Sequence, residues 1–230
     1  MSLVEALRAR RSALNTNARP PVVIWEPIPD LCTPAELKNL QQASTFVNVI
    51  SPNGEELADF FASGNKSIAE EDMVRSLLTN CGENPEQAVI VRNGADGSRL
   101  HCRGRVLHFK AYHQDAERVI DPTGGGNSYL GAMAMALTKR VQPGLEATAQ
   151  CLNSSITSES RSLLEMILAA VHGTIAASYA IEQIGTPSLD GGCGVWNGEA
   201  YEDRYTLYLR REKSYLSHQL ATQGQNLIPS

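Results

Sequence analysis

Short apolar runs alternate with amphipathic stretches along the chain, and the two periods predict its elements in turn. Residues 2–14 bring Leu3, Ala6, Leu7 and Ala13 to recurring positions and predict a helix. "VVIWEP", 22–27, is an apolar run closed by proline and predicts a buried strand with Trp25 in the core. "TPAELKNLQQA", 33–43, offers Thr33 as a cap, Pro34 at the first helical position and Glu36 at the third, so a helix is expected from there. A second strand is expected at 45–51, a loop and helix at 52–62, and an amphipathic helix at 69–82. "QAVIVRNG", 87–94, reads as a third strand, and 97–112 as a hairpin pivoting near Gly104. An alanine-rich helix follows the glycine run at 124–126, and a long helical stretch covers 160–184. A last helix is expected near 199–222, where Tyr201, Tyr205, Tyr208 and Tyr215 recur at near-helical spacing. That spacing marks a packing face, or the lining of a pocket or subunit contact.

Strands alternating with helices imply an α/β fold with a mostly parallel sheet and helices on both faces. In such sheets ligands bind beyond the carboxyl ends of the strands. The 230 residues are read as a single domain, with 223–230 as a flexible tail. Composition narrows the function classes. Twenty Lys and Arg against 25 Asp and Glu give a net charge of −5, which argues against a general nucleic-acid binder. The basic run Arg8 to Arg11 is short and reads as a solvated helix end. The five cysteines are scattered with no CxxC, so neither a zinc site nor a disulfide framework is expected. An odd cysteine count points to a reduced, cytoplasmic setting. No apolar run is expected to be long enough to span a membrane.

"DPTGGGNSYLGA", 121–132, carries the candidate chemistry. Three glycines at a strand-to-helix junction present free N–H groups that favour an anion. The run closes on Asn127, whose neutral amide cannot accept a proton at ordinary pH. Asp121 opens the loop, where it can bind an anion's surroundings or only stabilise the turn.

Three motifs in order resemble the pfkB, or ribokinase-like, family of small-molecule kinases. "PNGEE" resembles the family's Asn-x-x-Glu motif, with Asn53 and Glu56 at the positions that organise magnesium and phosphate. "VRNGADG" resembles its strand-end Gly-x-x-Gly turn, with Gly94 and Gly97 near the nucleotide. "DPTGGGN" resembles the signature Asp-Thr-x-Gly-x-Gly-Asp, whose glycines form the anion hole and whose last Asp is the catalytic base. The match covers about Val22 to Gly185. It implies a ribokinase-like three-layer αβα fold, here truncated at the N-terminus. It also implies an anion site built from Asp121, Thr123, Gly124, Gly125, Gly126 and Asn127, with Asn127 where the base would stand. His172 and Thr174 lie near the family's adenine-contacting region, although on an apolar helix a core role is the simpler one.

Losing general-base help costs on the order of 10² to 10⁴ in rate, so an ordinary sugar kinase is not expected, and residual small-molecule or sugar kinase activity with another base is the remaining alternative. Three readings follow. The first is a cofactor-independent enzyme, such as a cyclase, that uses Gly125, Gly126 and Asn127 to polarise a small apolar substrate. The second is a pseudokinase that binds ATP and magnesium as ligands. The third is an interaction module that pairs through an exposed sheet edge with another subunit, a second copy of the chain included. Asn53 and Glu56 either hold magnesium or only tie a helix start, and no other metal site is expected.

Overall fold

The computed structural model describes residues 3–14, 21–62, 68–78, 87–190 and 194–222. The expected tail at 223–230 and the end of the expected helix at 79–82 lie outside these. Strands β1 (Ile24–Trp25), β2 (Val49–Ile50), β3 (Ala88–Arg92), β4 (Ser98–Cys102) and β5 (Arg105–Phe109) form one sheet in chain order. β1–β2 and β2–β3 are parallel, and β4–β5 is antiparallel. The contacts gather into two compact units, Met1–Val89 and Ile90–Ser230, each described by itself.

The first unit carries helices α1 (Leu3–Leu14), α2 (Leu37–Ser44), α3 (Gly54–Phe60) and α4 (Glu70–Leu78). Its strands are shorter than the apolar runs predicted. Ile24 and Trp25 align with Val49 and Ile50, which align in turn with Ala88 and Val89. Trp25 is half-buried, not core as expected. Helix α2 also begins later than its caps suggested. Residues 33–36 close a turn through Glu36 N–H to the Thr33 carbonyl, 3.0 Å, and Glu36 becomes the N-cap without a side-chain bond. Val49, Ile50, Leu57, Val74 and Leu77 are fully buried and form the apolar interior of the unit.

In the second unit the hairpin turns at Arg103 and Gly104, both at positive φ (53° and 71°), the backbone that a tight two-residue hairpin requires. Helices α5 (Gly125–Leu137), α6 (Leu145–Cys151), α7 (Ser158–Ala180) and α8 (Tyr201–Thr222) surround it. Between α7 and α8 lies a small antiparallel sheet, β6 (Leu189–Asp190), β7 (Val195–Trp196) and β8 (Glu199–Ala200). Neither this sheet nor α6 was expected from the sequence. The central helix α7 starts at a Thr157–Ser160 capping box. It is long and apolar enough to cross a membrane, which corrects the sequence expectation. However, 83% of its most apolar window is buried in the protein, so its hydrophobicity serves the interior.

Helix α5 packs along α7 at close range. A Cβ on Gly173 would lie 2.9 Å from the Tyr129 ring, so glycine lets the two helices approach. Tyr129 is buried, its hydroxyl is 3.1 Å from Ser98 Oγ, and burial pushes its phenol up to about 12. The tyrosine face of α8 is confirmed as packing. Tyr205 and Tyr208 are fully buried, and Tyr208 donates to the Lys110 carbonyl at 2.8 Å. The same helix covers the edge of β5. Gln219 accepts from His108 N–H (2.7 Å) and donates to the His108 carbonyl (3.0 Å), which occupies both edge-facing groups of that residue.

His172 is buried, with Nδ1 2.7 Å from the Tyr201 hydroxyl and Nε2 2.9 Å from the Pro143 carbonyl. Burial lowers its pKa to about 4, so the fold holds a neutral ring.

Two predictions follow from this packing. Gly173→Ala should destabilise the protein by roughly 1–3 kcal/mol, because the Tyr129 ring is itself hemmed in; the urea midpoint measures it. The second concerns pH. An unfolded His172 titrates near 6.5 and the folded one near 4, so its contribution is intact above 6.5 and is lost as pH falls towards 4. The loss should reach about 3 kcal/mol, and His172→Gln should flatten the stability profile between those pH values.

Candidate functional site: the glycine loop and a charged cavity

The glycine loop of the second unit is built around one left-handed residue. Gly124 sits at φ 83° as the N-cap of α5, a backbone that L side chains adopt only at a cost. The space around its missing Cβ is open, so conformation and not crowding selects glycine there. Gly125 differs, since a Cβ there would fall 2.9 Å from Ile181 Cγ2. Its N–H donates to the Pro122 carbonyl at 3.2 Å, and Ser128 N–H donates to the Gly124 carbonyl at 2.9 Å. The N–H groups of Gly126 and Asn127 have no partner among the described residues. They are the orphan donors of a helix start, and α5 has no acidic residue in its first turn.

Asn127 is exposed and is the third residue of α5, whose N-cap is Gly124. Asp121 acts locally. Its Oδ1 accepts from Thr123 N–H at 2.9 Å, and the Thr123 side chain and N–H together hold its carboxyl below the usual range. Ile120 and Asp121 N–H both donate to the Ile181 carbonyl (2.8 and 3.2 Å), tying the loop to the end of α7.

The other expected residues are local devices as well. Gly94 (φ 52°) and Gly97 (φ 87°) shape the turn between β3 and β4, and a Cβ on Gly97 would collide with the Phe109 carbonyl. In the first unit Asn53 and Glu56 form a reciprocal capping box. Asn53 Oδ1 accepts from Glu56 N–H and Glu56 Oε2 accepts from Asn53 N–H, each at 2.7 Å.

Sequence reading missed a second feature. A cavity of about 630 Å³ opens in the second unit, with Arg204 in its lining. The Arg204 side chain is 4% exposed. It bonds Glu182 Oε1 at 2.9 Å through Nη1 and Glu199 Oε2 at 2.6 Å through Nη2. Its guanidinium lies 3.6 Å from the centre of the Tyr179 ring. Asn197 donates to Glu182 Oε2 (2.9 Å) and to the Tyr179 carbonyl (3.0 Å). His113 Nε2 lies 2.8 Å from Glu182 Oε1, at ion-pair distance but without hydrogen-bond geometry. One sequence signal was available: Asn197-Gly198, at φ 49° and 79°, is a strong hairpin turn dipeptide.

The profile of the pfkB family carbohydrate kinases matches residues 17–155. The chain belongs to the pfkB family. Protein MAK32 of Saccharomyces cerevisiae is 33% identical over 202 residues, which cover 82% of this chain and 49% of that protein. An uncharacterised Schizosaccharomyces pombe protein is 27% identical over 208 residues, 82% of this chain and 51% of its own length. This pfkB chain thus spans about half the length of these curated relatives. Among solved structures, ribokinase from Giardia lamblia superposes with a TM-score of 0.54 at 18% identity, covering 90% of this chain and 54% of that one. Aminoimidazole riboside kinase from Salmonella enterica gives 0.52 at 15% identity, covering 90% and 56%. These likenesses establish the ribokinase-like α/β fold. In this pfkB chain the glycine loop and the cavity both belong to the second unit, while Asn53 and Glu56 belong to the first.

Asn53→Ala should cost about 1 kcal/mol of stability, measured by thermal melting, because it removes one half of the capping box. If the box is its whole role, magnesium will change the melting temperature of the variant and of the native protein equally.

Proposed function

We propose that the chain is a phosphate-binding member of the pfkB family that holds a nucleotide on its glycine loop without transferring the phosphate. The observation that carries this reading is the pair of unpartnered N–H groups of Gly126 and Asn127 at the exposed start of α5. A phosphate oxygen supplies the acceptor that no described residue does. Asn127 stands beside those donors, and its amide can donate to the same anion but cannot take a proton from an attacking hydroxyl. On the resemblance to the family signature, that is the position of the catalytic base. ATP, with magnesium bound to its own phosphates, is therefore a ligand of this site and not a phosphate donor. The cyclase reading needs an apolar chamber around the loop. Pro122, Thr123, Gly124 and Asn127 are exposed instead, so the geometry lends that reading no support.

Titration with ATP and ADP should raise the melting temperature saturably, while no phosphate reaches common sugars or nucleosides. Gly126→Pro is the diagnostic variant. Proline is tolerated in the first turn of a helix and removes a donor that no protein group uses. It should weaken ATP binding at least fivefold and leave the melting temperature of the free protein within a few degrees. Native phosphate transfer at ordinary kinase rates would overturn the proposal, as would ATP binding unchanged by Gly126→Pro.

A further inference from the structure

The charged cavity carries chemistry of its own. Some of the groups that line it are fully engaged. Glu182 is bonded by Arg204 and Asn197, and Arg204 is divided between Glu182, Glu199 and Ser178. Others have no protein partner among the described residues. Glu199 gives only Oε2 to Arg204, so its Oε1 has no partner among the described residues. Glu117, Arg118, Thr186 and Ser188 also line the cavity, and their side chains have no protein partner among the described residues.

These leftovers have a definite character. Glu199 is a carboxylate held in place, because the arginine that anchors it is buried and stacked on Tyr179. Its free oxygen and Glu117 are acceptors for a cation. Arg118 supplies a planar fork of donors, the geometry that matches a carboxylate. Ile120 adds an apolar wall. A simple anion would satisfy Arg118 but meet two carboxylates, and a simple amine would satisfy the carboxylates and leave Arg118 unmatched. A molecule that carries both charges uses every group. The volume of about 630 Å³ lies within the roughly 300–1,000 Å³ of small-molecule sites.

We propose that this cavity is a binding site for a zwitterion of the α-amino acid class, with its ammonium on Glu199 and Glu117 and its carboxylate on Arg118. An ammonium has three donors, enough for both carboxylates and one of the two hydroxyls. Its lining does not include Gly126 or Asn127, whose N–H groups carry the proposed phosphate site, and it needs no nucleotide.

Calorimetric titration of the whole chain with each of the twenty common amino acids tests the proposal, with n-butylamine and butyrate as single-charge probes at equal ionic strength. At least one amino acid should bind saturably, and both probes at least tenfold more weakly. Arg118→Ala and Glu117→Gln change exposed side chains, so each should weaken binding at least fivefold at an unchanged melting temperature. These two variants carry the test, since Glu199→Gln would also disturb the anchoring of Arg204. Gly126→Pro should leave amino-acid binding intact, which separates this site from the phosphate site. The proposal is overturned if no amino acid binds, if butylamine or butyrate binds as tightly, or if both exposed variants bind as the native protein does.

Discussion

The close approach of α5 to α7, made possible by Gly173 beneath the Tyr129 ring, is the constraint on which the second unit rests. Helix α5 carries the glycine loop at its start, so whatever fixes α5 also aims the loop. Tyr129 does this from two sides. Its ring fills the space that a side chain on Gly173 would take, and its hydroxyl reaches Ser98 at the beginning of β4. A second tie runs from Ile120 and Asp121 to the Ile181 carbonyl, just beyond the same helix α7. The loop is thereby held against α7 at both of its ends, while its middle stays exposed. Exposed donors on a rigid support suit ligand binding, because little ordering remains to be done when the ligand arrives.

The C-terminal helix solves a different problem. An edge strand presents unpaired backbone groups that invite pairing with another chain. Helix α8 answers β5 with side chains in place of a strand. Gln219 bonds both backbone groups of His108, and Tyr208 and Arg211 take the carbonyls of Lys110, Ala111 and Tyr112. This explains why so polar a helix packs so firmly. Tyr205 and Tyr208 bury their rings in the interior, and the amide of Gln219 and the guanidinium of Arg211 read the backbone beside them.

Much of this was legible in the sequence, for identifiable reasons. Strong local signals survived: the Asn53-x-x-Glu56 box, the turn at Gly104, the glycine run and the tyrosine spacing all rest on short-range rules that tertiary contacts did not override. Boundaries moved where two rules competed. Thr33 and Pro34 are good helix starters, yet they close a turn and the helix begins at Leu37. The glycine run opens α5 at Gly124, whose left-handed backbone costs glycine nothing, so Asn127 falls at the third helical position. The cavity was not legible, because its groups come from four separated segments around Arg118, Glu182, Asn197 and Arg204. No spacing rule joins residues that only the folded chain brings together.

The first turn of α5 shows how function bears on a local choice. A carboxylate at its third position would gain about 0.3–1 kcal/mol from the helix dipole, so stability alone favours an acid there. Asn127 forgoes that gain, and no acidic residue stands in the turn. The partial positive charge of the helix start is therefore not neutralised by α5 itself, and two of its N–H groups remain unbonded. Groups left unsatisfied at an exposed helix start are cheap to keep, because water can serve them. They become valuable when an anion displaces that water and meets two donors and a dipole already in place. On the proposed function, an amide at position 127 would add a third donor to the same anion without adding a competing charge, which is the physical sense in which a loop of this kind would hold a phosphate and not move one.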